Sequence, residues 1–443
     1  MTAPTTSTAA RTTARPTART TAPPTERTAG ARPTLAADRR YTIVSADGHA
    51  GADIGDYRPY LASSWHDEFD AWAASYVNPF ADLLAPTAYR SWDSDRRLAE
   101  NDADGITAEV LFPNTVPPFF EEGSLVALPP TEEDYDRRWA GIRAHNRWLA
   151  DFCARTPGRR AGVAQIFVNH IEDALAEIRW AATAFEPFAG ILLPSLPPGC
   201  GLPLLWEPVY EPLWELCETL GVVINVHGGG GIPDYGEHEV ARAIMLVELP
   251  WFSHRATWHL IFGGILERHP DLQVALTEQG LAWLPRGLET LDWFYGRMTL
   301  GNAAEANFFG AAAKGMSLTP REYFERNFHV GASFLRATES AVRHEVGVER
   351  IMWGTDYPHS EGTYPYSREA LRAAFGEVDP AETVQMLETN AAALYGFDLE
   401  ALRAVGDVIG PTVADVATPI AVGEYPTDST CNAFDRHQVL RSW

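Results

Sequence analysis

From Tyr41 onward the chain repeats one unit: a short run of β-branched and other apolar residues closed by turn residues, then a longer stretch with apolar positions at helical spacing. Eight such runs occur, at 41–45, 108–112, 162–168, 190–193, 222–226, 274–277, 328–333 and 351–354. Their apolar residues are continuous rather than alternating, as in strands covered on both faces, and the runs are too short for helices. Stripes of period 3.6 at 135–154, 171–185, 208–220 and 380–394 supply the helices. Strand and helix in alternation imply βα crossovers and a parallel sheet. Eight strands, with no Gly-x-Gly-x-x-Gly turn, fit an α/β fold of the (β/α)8 TIM-barrel type better than an open doubly wound sheet.

The flanks read differently. Residues 1–40 are Thr, Ala, Pro and Arg with seven arginines against Glu26 and Asp38, which predicts a disordered tail. The barrel is expected over 41–400. Within it, 51–104 is too long for a plain βα connection, and Trp65, Trp72, Tyr76, Phe80 and Trp92 predict a folded insertion after the first strand. Residues 401–443 read as an extended C-terminal tail packed on the barrel or on a neighbouring subunit.

Charge narrows the partners. The 443 residues carry a formal charge of −24, so their field repels phosphate backbones and anionic lipid, and neither nucleic acid nor a membrane is an expected partner. No run approaches the roughly 18 apolar residues needed to span a bilayer, and no secretory core is present near residue 1, so a cytoplasmic location is expected. Cys153, Cys200, Cys217 and Cys431 are scattered, which predicts reduced thiols rather than a disulfide framework or structural zinc.

In such a barrel, chemistry gathers where strands end at the carboxyl side. Asp47 and His49 follow the first run, His227 the fifth, Glu278 the sixth and Asp356 the eighth. Each has an ordinary explanation alone: Asp47 in an Asp-Gly turn, His49 as a core histidine, Asp356 as a helix cap, and Gly228 to Gly231 as turn geometry. Together, Asp47, His49, His227 and Asp356 put two imidazoles and two carboxylates on one rim. That set predicts a single divalent ion, zinc or manganese, with room for water. His359, close behind Asp356, is a candidate substrate contact.

These motifs carry a resemblance. The Asp47-x-His49 pair, His227, the segment Gly263-Gly264-Ile265-Leu266-Glu267-Arg268-His269-Pro270, the block Trp353-Gly354-Thr355-Asp356-Tyr357-Pro358-His359 and the closing Asn390-Ala391-Ala392-Ala393-Leu394-Tyr395-Gly396 resemble the amidohydrolase-related branch of the amidohydrolase superfamily, which includes the aminocarboxymuconate-semialdehyde decarboxylase-like enzymes. The resemblance implies a distorted barrel with one zinc or manganese held by Asp47, His49, His227 and Asp356, a small-molecule substrate, and a homodimer. It also implies hydrolases, decarboxylases or hydratases, among which fold cannot choose.

One position departs: Glu278 stands where the similar decarboxylases place a histidine. A carboxylate there can take a proton from a water whose pKa a metal lowers toward about 7. The expected activity is therefore hydrolysis of a C–N or C–O bond, with Asp356 or Glu278 as proton acceptor. Glu278 also reads as an outer support for a ligand histidine. The alternative activity is non-oxidative decarboxylation of an aromatic or muconate-type acid. A silent barrel used as a binding protein is the third reading, separable by metal content.

Overall fold

The computed structural model describes residues 35–435 apart from 79, 80, 122, 124–126 and 237. Residues 1–34 of the expected tail, and 436–443 of the C-terminal extension, lie outside the described residues. Nine strands form one sheet: β1 (Ile43–Ser45), β2 (His49–Ala50), β3 (Ile106–Pro113), β4 (Arg160–Gln165), β5 (Phe188–Leu192), β6 (Ile224–His227), β7 (Val274–Thr277), β8 (Phe328–Ser333) and β9 (Ile351–Gly354). All pairings between them are parallel, in the order β1-β3-β4-β5-β6-β7-β8-β9, with the two-residue β2 continuing β1 alongside β3. The eight expected runs are β1 and β3 to β9, and the fold is a (β/α)8 barrel.

The barrel closes between β1 and β9, where Ala46 N–H donates to Trp353 O at 2.9 Å and Asp356 N–H to Asp47 O at 3.0 Å. Close approach requires Gly354: a β-carbon there would lie 2.6 Å from that of Asp47. Small interior side chains such as Ala46, Ala108, Ala161 and Ala275 let the strands converge around Val110, Phe112 and Met352. The segment at 390–396 seals this core. Asn390 Nδ2 donates to Val348 O and Ile351 O, and the Tyr395 hydroxyl reaches Asn225 Oδ1 at 3.0 Å.

Several boundaries shift by a few residues from the sequence expectation, and two of the differences have a clear physical cause. β4 begins at Arg160, which is buried because its guanidinium meets Glu109 of β3 at 3.2 Å, so a paired charge conceals the strand's start. The stretch after 400 is not extended at first: Leu399–Ile409 is a helix whose N-terminus is capped by Asp398 accepting from Glu400 and Ala401 N–H. Beyond it, Thr412 bridges antiparallel to Arg40, and Arg39 makes a two-pronged contact with Glu388, so residues 35–40 pack on the barrel. The 51–104 segment folds into short helices. Within it, Tyr57 is buried, with its hydroxyl meeting Ala52 N, Thr115 Oγ1 and His145 Nδ1. All four cysteines are free thiols.

Burial lowers the pKa of His145 to about 3 and that of His254 and His329 to about 4. Unfolded imidazoles take a proton near pH 6.5, and the folded ones resist it. The stability these rings confer is complete above pH about 6.5 and is lost as pH falls toward 3–4, by up to about 1.4 kcal/mol per pH unit for each ring. The urea midpoint is expected to fall steadily between pH 6.5 and 4; a flat midpoint over that range would contradict this account.

Candidate metal centre and active site

The barrel seam builds the site. Asp47 lies between β1 and β2, held by its carbonyl, which accepts from Ser45 Oγ at 2.7 Å and Thr355 Oγ1 at 3.2 Å. His49 stands on β2 opposite Phe112 of β3, and Arg97 Nη1 donates to its carbonyl at 2.6 Å while gripping Glu109 with two hydrogen bonds. His227 ends β6 in register with Thr277 of β7. Asp356 and Glu278, just past β9 and β7, have φ of 59° and 55°. Non-glycine residues pay for this left-handed conformation, and such strain concentrates at functional sites.

The histidine hydrogen bonds fix what faces inward. His49 Nδ1 lies 3.1 Å from Pro113 O and His227 Nδ1 lies 3.0 Å from Gly228 O, so each ring donates there and presents the lone pair of Nε2 to the centre. His49 Nε2 is 3.4 Å from Asp47 Oδ1 and 3.2 Å from Asp356 Oδ1, and His227 Nε2 is 3.4 Å from the same Asp47 oxygen. Ligands bound at about 2.0–2.1 Å around a tetrahedral ion stand about 3.3 Å apart, which these edges match. His49 Nε2 and Asp356 Oδ2 are buried without a hydrogen-bond partner. Lone pairs and carboxylate oxygens converging this closely need positive charge among them, and the donor set fits a divalent ion.

Electrostatics agree. Burial opposes ionisation of Asp47, yet His227 and His49 hold its carboxyl well below the usual range. Burial and His359 act to lower the pKa of His49, but Asp356 and Asp47 outweigh them and raise it to about 9. A site that draws a proton so strongly onto a buried ring also draws a metal cation. Glu278 differs: burial, then the charge of Asp356, push its pKa up to about 8. Its carboxyl lies 3.5 Å from His227 Nδ1 and keeps 26% of its side chain open to solvent.

Of the sequence candidates, Asp47, His49 and His227 form one close group, and Asp356 meets it through His49 while grouping separately with His49 and His359. His359 stacks on His49 with ring centroids 4.1 Å apart, and its nitrogens meet Asp356 Oδ1 at 2.9 Å and Asn114 Oδ1 at 3.1 Å. Sequence reasoning missed Ser333, whose hydroxyl donates to Asp47 Oδ2, and Asn114. Ser333 is aligned with Gly354, and the missing side chain there opens its path to Asp47. A serine ending a strand carried no distinguishing signal.

A parallel barrel with histidines and carboxylates gathered at the carboxyl ends of its strands places the chain among amidohydrolase-type proteins. The chain belongs to the amidohydrolase family, whose pattern it matches over residues 60–397. It is 26% identical over 286 residues to gamma-resorcylate decarboxylase of Rhodococcus jostii strain RHA1, covering 62% of this chain and 81% of the relative. It is also 26% identical over 315 residues to 2-amino-3-carboxymuconate-6-semialdehyde decarboxylase of Dictyostelium discoideum, covering 69% and 77%. In fold it is similar to 5-carboxyvanillate decarboxylase of Novosphingobium aromaticivorans, solved with manganese and 4-hydroxy-3-methoxy-5-nitrobenzoic acid. That match has a TM-score of 0.59 at 20% identity, covering 80% of this chain and 96% of the other.

Proposed function

We propose that this chain is a metal-dependent, non-oxidative decarboxylase of a hydroxylated aromatic acid. The hydrolytic expectation, which rested on Glu278 as a proton acceptor, gives way to its alternative because both curated relatives are named decarboxylases. The observation that carries the reading is that both curated relatives are decarboxylases, and Glu278, 3.5 Å from His227 Nδ1 at the site's edge, is placed to act as the proton donor such a reaction needs.

Asp47, His49, His227 and Asp356 would hold one divalent ion, and the manganese of the solved neighbour favours that metal. When bound, the ion supplies a Lewis acid that draws electron density from the substrate's oxygens. Glu278 gives its proton to the ring carbon bearing the carboxylate. The bond between that carbon and the carboxylate then breaks, its electron pair returns to the ring, and carbon dioxide leaves. One proton is consumed for each carbon dioxide released, and Glu278 regains it from solvent through its exposed edge. Burial acts to raise the pKa of Asp356, but His359 and His49 together hold it below the usual range, so it serves as an anionic ligand. His359 and Asn114 hold Asp356 in place, and the half-buried His359 ring borders the substrate space.

The test is mass-spectrometric detection of carbon dioxide from a panel of hydroxybenzoates with manganese-loaded protein. Release that stops on chelation is expected; cleavage of esters, lactones or amides without carbon dioxide from any acid would restore hydrolysis.

The partner is a small molecule and, we infer, a second copy of the chain. The helices Glu239–Phe262, Leu284–Thr299 and Ala304–Ala313 turn Leu246, Val247, Trp293, Phe308 and Phe309 outward, with Phe308 80% and Leu246 72% exposed. With their apolar neighbours they expose on the order of 1,000 Å² of apolar surface, against about 800 Å² per partner in a standard interface. Light scattering is expected to give twice the chain mass, and Phe308→Asp to give one; a wild-type monomer would contradict the inference. No helix among the described residues is long and apolar enough to cross a membrane.

A further inference from the structure

The insertion after the first strand reaches the metal centre from behind. Its last helix, Ser94–Asp104, carries Arg97 and Glu100 three residues apart on one face, and both touch segments that bear proposed ligands. Arg97 is fully buried, and all five N–H groups of its guanidinium are engaged. Nε and Nη2 grip Glu109 of β3 at 2.9 and 2.7 Å, while Nη1 donates to His49 O at 2.6 Å and Arg90 O at 3.1 Å. Nη2 also comes within 3.4 Å of Tyr357 O. The guanidinium lies over the Tyr357 ring, 4.6 Å from its centroid, and Glu100 accepts from the hydroxyl of that ring at 2.6 Å.

Tyr357 directly follows Asp356, and its carbonyl accepts from His49 N–H at 2.7 Å. One side chain therefore ties together β2, which carries His49, and the turn after β9, which carries Asp356, while belonging to neither. Arg160 supplies the contrast. It is buried and meets the same Glu109 at 3.2 Å, but its other donors go to Ser94 and Phe152, away from every proposed ligand. Charge balance at Glu109 accounts for an arginine there; it does not account for the donors that Arg97 spends on the His49 and Tyr357 carbonyls.

We propose that Arg97 is a positioning residue for the metal centre, fixing through these two carbonyls and the Tyr357 ring the backbone that sets His49 Nε2 against Asp356 Oδ1. Those atoms stand 3.2 Å apart, and a binding constellation works only when its supports hold it to within about 0.5 Å. A planar guanidinium serves a carboxylate and two carbonyls at once, which a lysine ammonium on a flexible stem does not. The inference gives the insertion's last helix a part in metal binding. It rests on the proposed metal centre and not on the reaction performed there.

Manganese titration of the full chain, followed by electron paramagnetic resonance, tests the role by comparing Arg97→Lys with Arg160→Lys. Each lysine keeps a positive charge beside Glu109 and loses the fork, so both carry a similar structural cost. Arg97→Lys is expected to weaken manganese binding about 10–100-fold and to change the line shape of the bound ion. Arg160→Lys is expected to leave affinity within about twofold and the spectrum unchanged. Tyr357→Phe keeps the ring beneath the guanidinium, removes only the bond to Glu100, and is expected to weaken binding about fivefold; it carries the test if Arg97→Lys does not fold. Wild-type affinity and spectrum in Arg97→Lys, equal losses in Arg160→Lys, or wild-type binding in Tyr357→Phe where Arg97→Lys is unfolded would overturn the proposal. A wild-type protein that binds no manganese would refute the metal centre itself, whereas a manganese site indifferent to Arg97→Lys refutes only the positioning role.

Discussion

His227→Ala is expected to purify folded and without its metal. His227 supplies one of the Nε2 lone pairs aimed at Asp47 Oδ1, and alanine at the end of β6 leaves the His227 backbone register with Thr277 intact. Loss of an outer support costs roughly 10–100-fold in metal affinity, and a direct ligand costs more. Gel-filtered variant should therefore carry well under one ion per chain, with turnover lost in proportion and far-ultraviolet dichroism unchanged. Ser333→Ala, which removes the donor to Asp47 Oδ2, belongs to the milder 10–100-fold class and is recoverable with added manganese. Elemental analysis beside activity separates the two. A His227→Ala protein that kept one tightly bound ion would place the metal elsewhere.

Glu278→Gln should behave in the opposite way, keeping its metal and losing its chemistry. Glutamine preserves size and can still occupy the left-handed backbone at φ 55°, but it has no acidic proton to give. Removing a positioned proton donor costs typically 10²–10⁴-fold in rate. The loss is expected in kcat with KM little changed, since the proposed anchor of the substrate is the metal centre. If Glu278→Gln turned over at the wild-type rate, protonation would come from another group and the proposed chemistry would fail, while the metal centre would stand.

Much of this arrangement could be read before folding because strand ends are local features. β7 and β9 are legible as continuous apolar runs, β8 least so because His329 and Gly331 interrupt it, and the polar residues at the ends of β1, β6, β7 and β9 lie near one another in the fold. What escaped depended on pairing across the barrel. Arg160 starts β4 only because Glu109 lies beside it, and a charged residue argues against a strand until its partner is known. Ser333 and Asn114 are ordinary polar residues until Gly354 and His359 give them access to the carboxylates. The helix at Leu399–Ile409 reads as an extended tail in sequence because Gly and Val dilute its pattern; in the fold it packs close to Thr42, where Gly406 allows contact.

The choice of chemistry was hidden for the same reason. Glutamate at 278 reads as a base, because an isolated carboxyl is ionised at neutral pH. Folding sets it half-buried beside Asp356 and His227, surroundings that raise its pKa and that its residue type did not announce. Residue type alone could not distinguish these roles, since they differ in surroundings and not in sequence.

Anomalous diffraction at the manganese edge from metal-soaked crystals bears on everything above. The account predicts one peak per chain, about 2.0–2.2 Å from Asp47 Oδ1, His49 Nε2, His227 Nε2 and a carboxylate oxygen of Asp356. A peak that left His49 and His227 uncoordinated, or no peak at saturating manganese, would contradict it.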